Sequence, residues 1–223
     1  MTEYPALGTG ASSGIGKAIY QSLYKSSDFT VYGLSRRGPD ITMDISKLTN
    51  YDLDNIYKIC GPLNLLINCA GIMPLNEVNK ERMIFDTNFW GAYTLIQNTR
   101  FAPKVKLPDG REKRKAVIIN IASVSGMIAE PDIPIYAASK AALISLTKSL
   151  AKGYATLGIR VNCISPGFFN TNLVPTPPTK EMISQIPLKR MAEPEEILKA
   201  VCMIWHSEYM TGANIVIDGG VIL

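Results

Sequence analysis

Residues 9–16 read TGASSGIG, and this stretch decides the predicted fold. It completes a short apolar segment, Pro5–Thr9, and opens an amphipathic segment, Gly14–Lys25. A strand that passes through closely spaced glycines into a helix is the context in which a backbone loop holds a diphosphate, because the first N–H groups of the helix face the anion. The stretch therefore predicts a dinucleotide-binding loop.

Each of the three glycines of this loop is required for a different structural reason. Gly10 permits the tight turn, Gly14 lets the backbone approach the diphosphate, and Gly16 allows the helix to pack closely on the strand. The alternative is an ordinary glycine-rich turn between a strand and a helix. Serine hydroxyls can add donors, so the candidate binding residues of the loop are Gly10, Ser12, Ser13, Gly14, Ile15 and Gly16.

Strand-length apolar runs alternate with amphipathic helical stretches along the chain, which predicts βαβ units and a parallel sheet covered on both faces. The expected fold class is a doubly wound α/β Rossmann fold. The predicted strands are Pro5–Thr9, Thr30–Leu34, Thr42–Ile45, Asn64–Asn68, Ala116–Ile121, Arg160–Ile164 and Asn214–Ile217. The predicted helices are Gly14–Lys25, Asn50–Cys60, Asn79–Thr99, Ile135–Ala155, Thr179–Ile186 and Glu193–Trp205.

One connection departs from this pattern. Only about eight residues separate the strand that ends at Leu34 from the strand around Met43, whereas a helical crossover takes a dozen or more. Gly38-Pro39 lies in this interval and favours a loop. We therefore expect the helix between strands 2 and 3 to be lost.

Composition limits the classes of protein to consider. With 223 residues, of which 47% are hydrophobic, we expect residues 1–223 to form a single dinucleotide-binding catalytic domain. The four cysteines are widely spaced without a CxxC pair, so no metal site and no disulfide framework are predicted. No apolar run approaches the roughly 18 residues of a membrane span, so a cytoplasmic protein without a membrane partner is expected.

Charge gives a weak signal for partners. The formal charge of +4 comes from scattered residues, so no nucleic-acid partner is predicted. The exception is Lys104–Lys115, where six of twelve residues are Lys or Arg. Such a run is usually a solvated loop. The single histidine, His206, lies near a predicted helix end and is not expected to be catalytic.

A family resemblance begins at residues 9–16, which are similar to the TGxxxGxG loop of short-chain dehydrogenases/reductases. Four further segments follow in the order of that family. Residues 68–71, NCAG, resemble its NNAG motif with Cys69 in place of an asparagine, and residues 120–126, NIASVSG, resemble its NxSSxxG segment. Residues 136–140, YAASK, match YxxxK, and residues 166–171, PGFFNT, match PGxxxT. With the closing TGxxxxVDGG-like stretch, the resemblance spans nearly the whole chain.

Tyr136 and Lys140 are spaced so that, on a helix, they lie on one face about a turn apart. An ammonium about 4 Å from a phenol at an effective dielectric of ~20 contributes roughly 4 kcal/mol, which lowers a tyrosine pKa near 10 by about three. This predicts a phenol that exchanges protons near neutral pH. Alone, such a pair is usually two surface neighbours.

The resemblance adds a serine and an asparagine to the predicted catalytic set. Ser123 lies thirteen residues before Tyr136 and corresponds to the catalytic serine, which donates to the substrate carbonyl; Ser125 is the competing assignment. Asn88 is similar to the helix asparagine whose carbonyl holds a water against the lysine. The alternative for Asn88 is a solvent-facing side chain. The candidate catalytic residues are Asn88, Ser123, Tyr136 and Lys140.

The end of the second strand predicts which nicotinamide cofactor binds. An acidic residue at this position accepts a hydrogen bond from the ribose 2′-OH of NAD. This strand ends instead in Ser35-Arg36-Arg37, a hydroxyl and two guanidinium groups that suit the 2′-phosphate of NADP. We therefore expect NADP(H), with NAD(H) the less favoured cofactor. The alternative is that both arginines form a solvated turn whose field Asp40 weakens.

Further cofactor contacts are implied by the resemblance alone. Asp44-Ile45 is similar to the pair that meets the adenine, with a simple strand-end cap as the alternative for Asp44. Phe169 and Thr171 correspond to residues that hold the nicotinamide carboxamide. The remaining implied cofactor residues are Asn68, Ala70, Gly71, Tyr136, Lys140, Pro166 and Gly167.

The expected activity is NADP(H)-dependent interconversion of a carbonyl and a secondary alcohol, with Tyr136 as proton donor or acceptor. One alternative is an NAD-dependent alcohol or sugar-alcohol dehydrogenase, and another is a non-catalytic dinucleotide-binding regulator. The substrate is expected to be a small molecule. Similarity to 3-oxoacyl-carrier-protein reductases suggests that it could be carrier-bound through Lys104–Lys115. The resemblance also implies a homodimer or homotetramer.

Overall fold

The computed structural model describes residues 3–73, 80–106, 112–113, 116–173 and 178–223. Its main feature is a seven-stranded sheet in the order β3-β2-β1-β4-β7-β8-β9, in which every pairing is parallel. The strands of this sheet are β1 (Tyr4–Thr9), β2 (Phe29–Ser35), β3 (Ile41–Thr42), β4 (Leu65–Asn68), β7 (Ala116–Ile121), β8 (Ile159–Pro166) and β9 (Asn214–Ile217). Two short strands, β5 (Val105–Lys106) and β6 (Glu112–Lys113), form a separate antiparallel pair. The predicted doubly wound α/β fold is confirmed.

Seven helices connect these strands within the described residues. They are α1 (Gly14–Tyr24), α2 (Asn50–Cys60), α3 (Glu81–Phe85), α4 (Ala92–Asn98), α5 (Pro134–Tyr154), α6 (Lys180–Gln185) and α7 (Leu198–His206). The longest, α5, starts with Pro134 in its first turn, where a missing N–H costs nothing. It is followed by a 3₁₀ turn that ends at Gly158 in the left-handed region, which glycine adopts without strain.

The core lies on both faces of the sheet, because successive residues of each central strand point to opposite sides. On β7, Val117 and Ile119 pack into one apolar cluster with Trp205 and α7, whereas Ile118 packs into a second cluster with α2 and α4. The three β7 residues are almost completely buried. A strand buried on both faces reads as a continuous apolar run, which is why these strands were recognisable.

The connection from β2 to β3 has no helix, as predicted. Pro39 lies directly over Gly33, where an added Cβ would come within 2.6 Å of the proline ring. Asp40 fixes this short loop, since its carboxylate accepts a 2.7 Å hydrogen bond from the Gly33 N–H and a second one from the Tyr20 hydroxyl. The loop therefore covers the sheet in place of a helix.

Three predicted elements have different bounds or forms. The part of helix 79–99 that the structure describes begins at Glu81 and contains a π-helical segment, Asp86–Gly91, between α3 and α4. The third strand ends at Thr42, and Ile45–Lys47 forms a 3₁₀ turn that Asp44 caps. The helix predicted from Glu193 starts with a 3₁₀ turn at Pro194–Ile197.

Two predicted features lie wholly or partly outside the described residues: Asn79, at the start of a predicted helix, and most of the Lys104–Lys115 run. In the described part of the chain, no helix is both long and apolar enough to cross a membrane. The same residues contain no group of three or more His, Cys, Asp and Glu side chains placed to hold a metal ion.

Candidate active site

A large cleft of about 860 Å³ lies at the carboxyl ends of the parallel strands. The strand order reverses here, because β1 is flanked by β2 on one side and by β4 on the other, and ligands of open α/β sheets bind at this kind of switch point. One end of the cleft is formed by the glycine loop and Arg36. The other contains Ser123 and Tyr136.

The glycine loop has the geometry that its sequence predicts. Gly10 and Gly14 have positive φ angles of 72° and 51°, a region in which other residues are strained. A Cβ on Gly16 would lie 2.3 Å from the Gly10 carbonyl oxygen. Gly10, Ser13, Gly14, Ile15 and Gly16 line the cleft, and Ser12, which is exposed, does not. The N-terminus of α1 therefore opens onto the cleft.

Thr9 joins the glycine loop to the end of β4. Its hydroxyl oxygen accepts hydrogen bonds from the backbone N–H groups of Cys69 and Ala70, both at 3.0 Å. This clamp sets the backbone of residues 69–71, which lines the cleft beside the loop. This role of Thr9 could not be predicted from the motif, because it depends on a contact with residues sixty positions away.

Asn68 lies behind the cleft wall. Its side-chain amide donates to Asn120 at 2.9 Å, and Asn120 in turn donates to Thr147 on α5. This buried amide ladder ties β4, β7 and α5 together. Asn68 is therefore placed to support the site and does not line the cleft.

The end of β2 presents one cationic and one hydroxyl group. Arg36 lines the cleft, whereas the neighbouring Arg37 does not. The Ser35 hydroxyl oxygen is buried and has no hydrogen-bond partner in the described structure. A buried polar group usually has a partner, but Ser35 does not line the cleft, so Arg36 is the group at this end that a ligand can reach.

The predicted adenine pair lies outside the cleft lining. Asp44 Oδ1 accepts from the backbone N–H and the hydroxyl of Ser46, at 3.0 and 2.7 Å. Those hydrogen bonds keep the pKa of the Asp44 carboxyl below its usual value despite partial burial, which opposes them. Ile45 packs against Gly91, where an added Cβ would lie within 2.9 Å of the Ile45 side chain. Asp44 thus caps the 3₁₀ turn that begins at Ile45, and its predicted contact with an adenine stays a prediction.

Ser123, Tyr136 and Lys140 meet at the inner end of the cleft, and each is buried. Ser123 follows β7 directly, and Tyr136 and Lys140 lie one turn apart on α5. The Ser123 hydroxyl hydrogen-bonds to the Tyr136 phenol, and the Lys140 ammonium lies 5.7 Å from the centre of the Tyr136 ring. Lys140 Nζ also donates to the Ile121 carbonyl at 2.9 Å, which fixes the ammonium against β7.

The electrostatics of the tyrosine differ from the sequence-based expectation. Burial raises the pKa of Tyr136 to about 12, although the hydrogen bond from Ser123 opposes this. Burial also lowers the pKa of Lys140 to about 8. The expected lowering of the Tyr136 pKa by Lys140 is wrong for this structure, because desolvation of the phenolate outweighs the attraction of an ammonium that is itself desolvated.

Asn88 is completely buried in the π-helical segment, so the solvent-facing alternative is wrong. Its side chain accepts from the Ile72 N–H at 2.8 Å and donates to the Ile72 carbonyl and to Ser139. Ser139 lies next to Lys140 on α5. A π-helical turn interrupts regular helical bonding and is frequent at functional sites. Asn88 thereby ties the segment after β4 to the helix that carries Tyr136.

The family model described as enoyl-(acyl carrier protein) reductase matches residues 35–222. An uncharacterized short-chain type dehydrogenase/reductase, y4vI of Sinorhizobium fredii, is 30% identical over 95% of the chain. The chain belongs to the short-chain dehydrogenase/reductase family. It spans 42% of y4vI but 95% of the oxidoreductase UcpA of Salmonella typhimurium, which is 32% identical over 99% of the chain. As a member of this family, the chain is an oxidoreductase.

Two kinds of relative are informative about the site. The 3-oxoacyl-[acyl-carrier-protein] reductase FabG of Vibrio harveyi is 31% identical, and the match covers 98% of the chain and 97% of FabG. The structure of a short chain dehydrogenase family protein from Francisella tularensis superposes with a TM-score of 0.82 at 28% identity, over 99% of both chains. A structure of 4-hydroxyisoleucine dehydrogenase complexed with NADH and succinate superposes with a TM-score of 0.80 at 29% identity, over 97% of this chain and 99% of that one.

The PGFFNT segment of this short-chain dehydrogenase/reductase also reaches the cleft. Pro166, Gly167, Phe169 and Thr171 all line it. Gly167 is closely packed, since a Cβ there would lie 2.7 Å from the Asp218 side chain. Thr171 lies against Gly14, with its side chain 3.1 Å from where a Gly14 Cβ would be. The segment therefore crosses the cleft and touches the glycine loop.

Several lining residues carried no signal in the sequence. Glu130 lines the cleft between Ser123 and Tyr136 in the chain, and Ser125 donates to it at 2.9 Å. Because Ser125 is engaged in this way, Ser123 is the serine whose hydroxyl is directed to Tyr136. The other unpredicted lining residues are mostly apolar: Ile72, Met73, Met83, Ile128, Ile133, Leu173, Met182 and Val221.

Proposed function

We propose that this protein is an NADP(H)-dependent reductase that converts a carbonyl into a secondary alcohol, with residues 1–223 acting as one catalytic domain. The observation that carries the proposal is the convergence of Ser123, Tyr136 and Lys140 at one end of a cleft whose other end is the glycine loop. A dinucleotide held at that loop has its reactive ring and a small substrate within the same cleft.

The cofactor assignment is supported by the residues at the end of β2. Arg36 lines the cleft, so a cation is available where a 2′-phosphate would lie. The N-terminus of α1 and the open backbone at Gly10 and Gly14 suit a diphosphate. 4-Hydroxyisoleucine dehydrogenase, a similar protein of known structure, contains NADH, which is consistent with a nicotinamide cofactor of either type.

The chemistry of the chain's own residues follows from their protonation. A nicotinamide cofactor supplies or accepts hydride when bound. Because the Tyr136 pKa is about 12, the phenol is protonated at neutral pH and is ready to give its proton to a carbonyl oxygen. Ser123 donates to the same oxygen and stabilises charge that develops on it. Lys140 contributes positive charge beneath Tyr136, and Asn88 holds the surrounding backbone.

These protonation states are the ones that carbonyl reduction uses at neutral pH. A neutral phenol is an acid, whereas oxidation of an alcohol needs the phenolate as base. Because a catalyst accelerates both directions of one reaction, the raised pKa of Tyr136 affects the pH dependence and not the net direction, and reduction is proposed as the working direction. Cytoplasmic location, action on a carrier-bound substrate and assembly as a homodimer or homotetramer remain parts of the proposal; similarity to FabG supports the carrier-bound form.

A two-stage experiment tests the proposal. Fluorescence titration with NADPH and NADH measures the affinity of each cofactor, and absorbance of the reduced nicotinamide then follows turnover with aldehydes, ketones, 3-oxoacyl thioesters and 2-enoyl thioesters. Mass spectrometry identifies the products. We expect tighter binding of NADPH and formation of secondary alcohols. Saturated thioesters as products would replace carbonyl reduction by enoyl reduction, and cofactor binding without turnover would favour the regulator.

A further inference from the structure

The substrate end of the cleft contains a carboxylate that the proposed chemistry does not use. Glu130 lies in the connection between β7 and α5, half-buried, and lines the cleft. Its Oε1 accepts a 2.9 Å hydrogen bond from the Ser125 hydroxyl. Among the described residues, its Oε2 has no hydrogen-bond donor. One carboxylate oxygen, Oε1, is therefore held by Ser125, and the other, Oε2, is available to a ligand.

The anchor places this charge beside the proposed reacting centre. The Ser125 N–H donates to the Ser123 hydroxyl oxygen at 3.2 Å, so one residue links Glu130 to the serine that faces the substrate oxygen. The charge of Glu130 also acts on Tyr136, where it contributes to the raised pKa of the phenol. The hydrogen bonds through Ser125 thus place the carboxylate near Ser123, and its charge is felt at Tyr136.

The neighbours of Glu130 define what could lie against it. Ile128 and Ile133 flank it in the chain, and Met73 and Met83 line the same cleft. These apolar groups suit a hydrocarbon body. Lys80 and Lys140 also line the cleft, and their positive charge disfavours binding of a cation. Glu130 and Asp132 carry negative charge, which disfavours binding of an anion.

We propose that Glu130 is a specificity-determining residue that selects a neutral carbonyl substrate with an apolar body and a hydroxyl group on the carbon α or β to the carbonyl. The hydroxyl donates to Glu130 Oε2 while the carbonyl oxygen faces Ser123 and Tyr136. A carboxylate at the same place is excluded, because it meets an anchored carboxylate in a partly dry cleft. This inference rests on the proposed reductase function and names the substrate class for it.

A matched series of aryl ketones tests the selection. Acetophenone is the reference, 2-hydroxyacetophenone and 3-hydroxypropiophenone carry the hydroxyl, and benzoylformate and benzoylacetate carry the carboxylate. We expect kcat/KM relative to acetophenone to be at least 10-fold higher for a hydroxyl ketone and at least 10-fold lower for the corresponding acid. Equal values for hydroxyl and acid partners would overturn the inference.

The variant Glu130→Gln tests whether this side chain causes the preference for hydroxyl ketones over acids. The amide keeps the size of the side chain and can still accept from Ser125, but it has no charge. We expect the ratio of hydroxyl ketone to acid to fall at least 10-fold, mainly through KM. Ser125→Ala, which removes the anchor, should lower the same ratio in part. Glu195→Gln is the control, because that carboxylate is exposed and does not line the cleft, and it should change the ratio less than 2-fold.

A binding measurement keeps the inference testable without turnover. Calorimetric titration of the NADPH complex with benzyl alcohol and with benzoate should show binding of the alcohol only, and Glu130→Gln should gain binding of benzoate. If none of the ketones is reduced, the proposed reductase function fails, and this titration still decides on Glu130. Benzoate binding to the unaltered protein as strongly as benzyl alcohol would refute the selection.

Discussion

The two ends of the cleft differ in whether backbone or side chains form their surface. The cofactor end is made by backbone: Gly10, Gly14 and Gly16 set a loop that no larger residue fits, and Thr9 clamps it to β4. The substrate end is made by side chains such as Glu130 and Met83 from separate connections. Where chemistry needs a particular backbone shape, the sequence must show it in consecutive residues. Where it needs only a suitable surface, many residues serve.

The largest effect is expected at the cofactor end, from Gly16→Ala. The added methyl carbon would lie 2.3 Å from the Gly10 carbonyl oxygen, so the loop must move. We expect the NADPH dissociation constant to rise at least 100-fold, which corresponds to about 2.7 kcal/mol. Fluorescence titration measures this, and calorimetry should show a lower Tm.

Gly153→Ala is the matched control for this substitution. A Cβ at that helical position meets no atom within 4 Å. Because alanine stabilises a helix interior by roughly 0.5–1 kcal/mol relative to glycine, the control should bind NADPH normally and have an equal or higher Tm. Normal NADPH affinity in Gly16→Ala would mean that the loop does not hold the diphosphate.

The pH dependence of the two reaction directions should differ, because the pKa of Tyr136 is raised to about 12. Reduction uses the protonated phenol, which is fully present below that pKa, so its rate at saturating substrate should change by less than about 3-fold from pH 6 to 8. Oxidation uses the phenolate, whose population increases about tenfold per pH unit below the pKa. Stopped-flow rates in both directions measure this.

Other titrating groups face Tyr136 and need to be separated from it. Cys69 and Glu130 both contribute to its raised pKa, and Lys140, with a pKa of about 8, lies below its ring. Glu130→Gln should move the oxidation profile to lower pH, because removal of a nearby negative charge favours the phenolate. An oxidation rate that is independent of pH from 6 to 9 would contradict the role of Tyr136 as base.

A smaller effect is expected from the two arginines after β2. Arg36 lines the cleft and Arg37 does not, so Arg36→Ala should raise KM for NADPH about 10-fold, in line with the roughly 1.5–3 kcal/mol of a hydrogen bond to a charged group. KM for NADH should change less than 2-fold. Arg37→Ala is the control and should leave both constants nearly unchanged. Equal effects of the two substitutions would point to a general basic field instead of a phosphate contact.

The smallest effect is expected at Cys69. Burial raises its pKa to about 12, so the thiol is neutral at pH 7 and a poor nucleophile. Cys69→Asn, which restores the residue of the family motif, should change kcat/KM less than 3-fold, because the Thr9 clamp acts on the backbone N–H and not on the side chain. Steady-state kinetics measure the change. Rapid inactivation by iodoacetamide at pH 7 would contradict the neutral thiol.

The fold and the backbone shape of the glycine loop could be predicted from the sequence for physical reasons. Strands buried on both faces read as apolar runs, and the eight-residue interval after Leu34 was too short for a helix. Because Gly10 and Gly14 have positive φ angles that favour glycine, the spacing of the glycines revealed the loop. The spacing of Tyr136 and Lys140 likewise placed both on one face of α5.

The remaining features depend on tertiary contacts that local sequence does not record. The pKa of Tyr136 is governed by burial, which no local pattern reveals, and therefore its direction was predicted wrongly. The π-helical segment within Asn79–Thr99 has no composition signal of its own. Glu130 lines the cleft and is held there by Ser125, and Asp44 is engaged by Ser46 two residues away.

The central claim is that Tyr136 is the proton donor for a reaction in this cleft, and Tyr136→Phe tests it most directly. Tyr154→Phe is the matched control, because that tyrosine ends the same helix and bonds to Gln97 far from the cleft. Single-turnover oxidation of NADPH by the best carbonyl substrate should slow at least 100-fold in Tyr136→Phe with NADPH affinity unchanged, consistent with the roughly 10²–10⁴-fold contribution of general acid catalysis. Tyr154→Phe should react at the normal rate. A Tyr136→Phe variant that transfers hydride as fast as the unaltered protein would contradict the account.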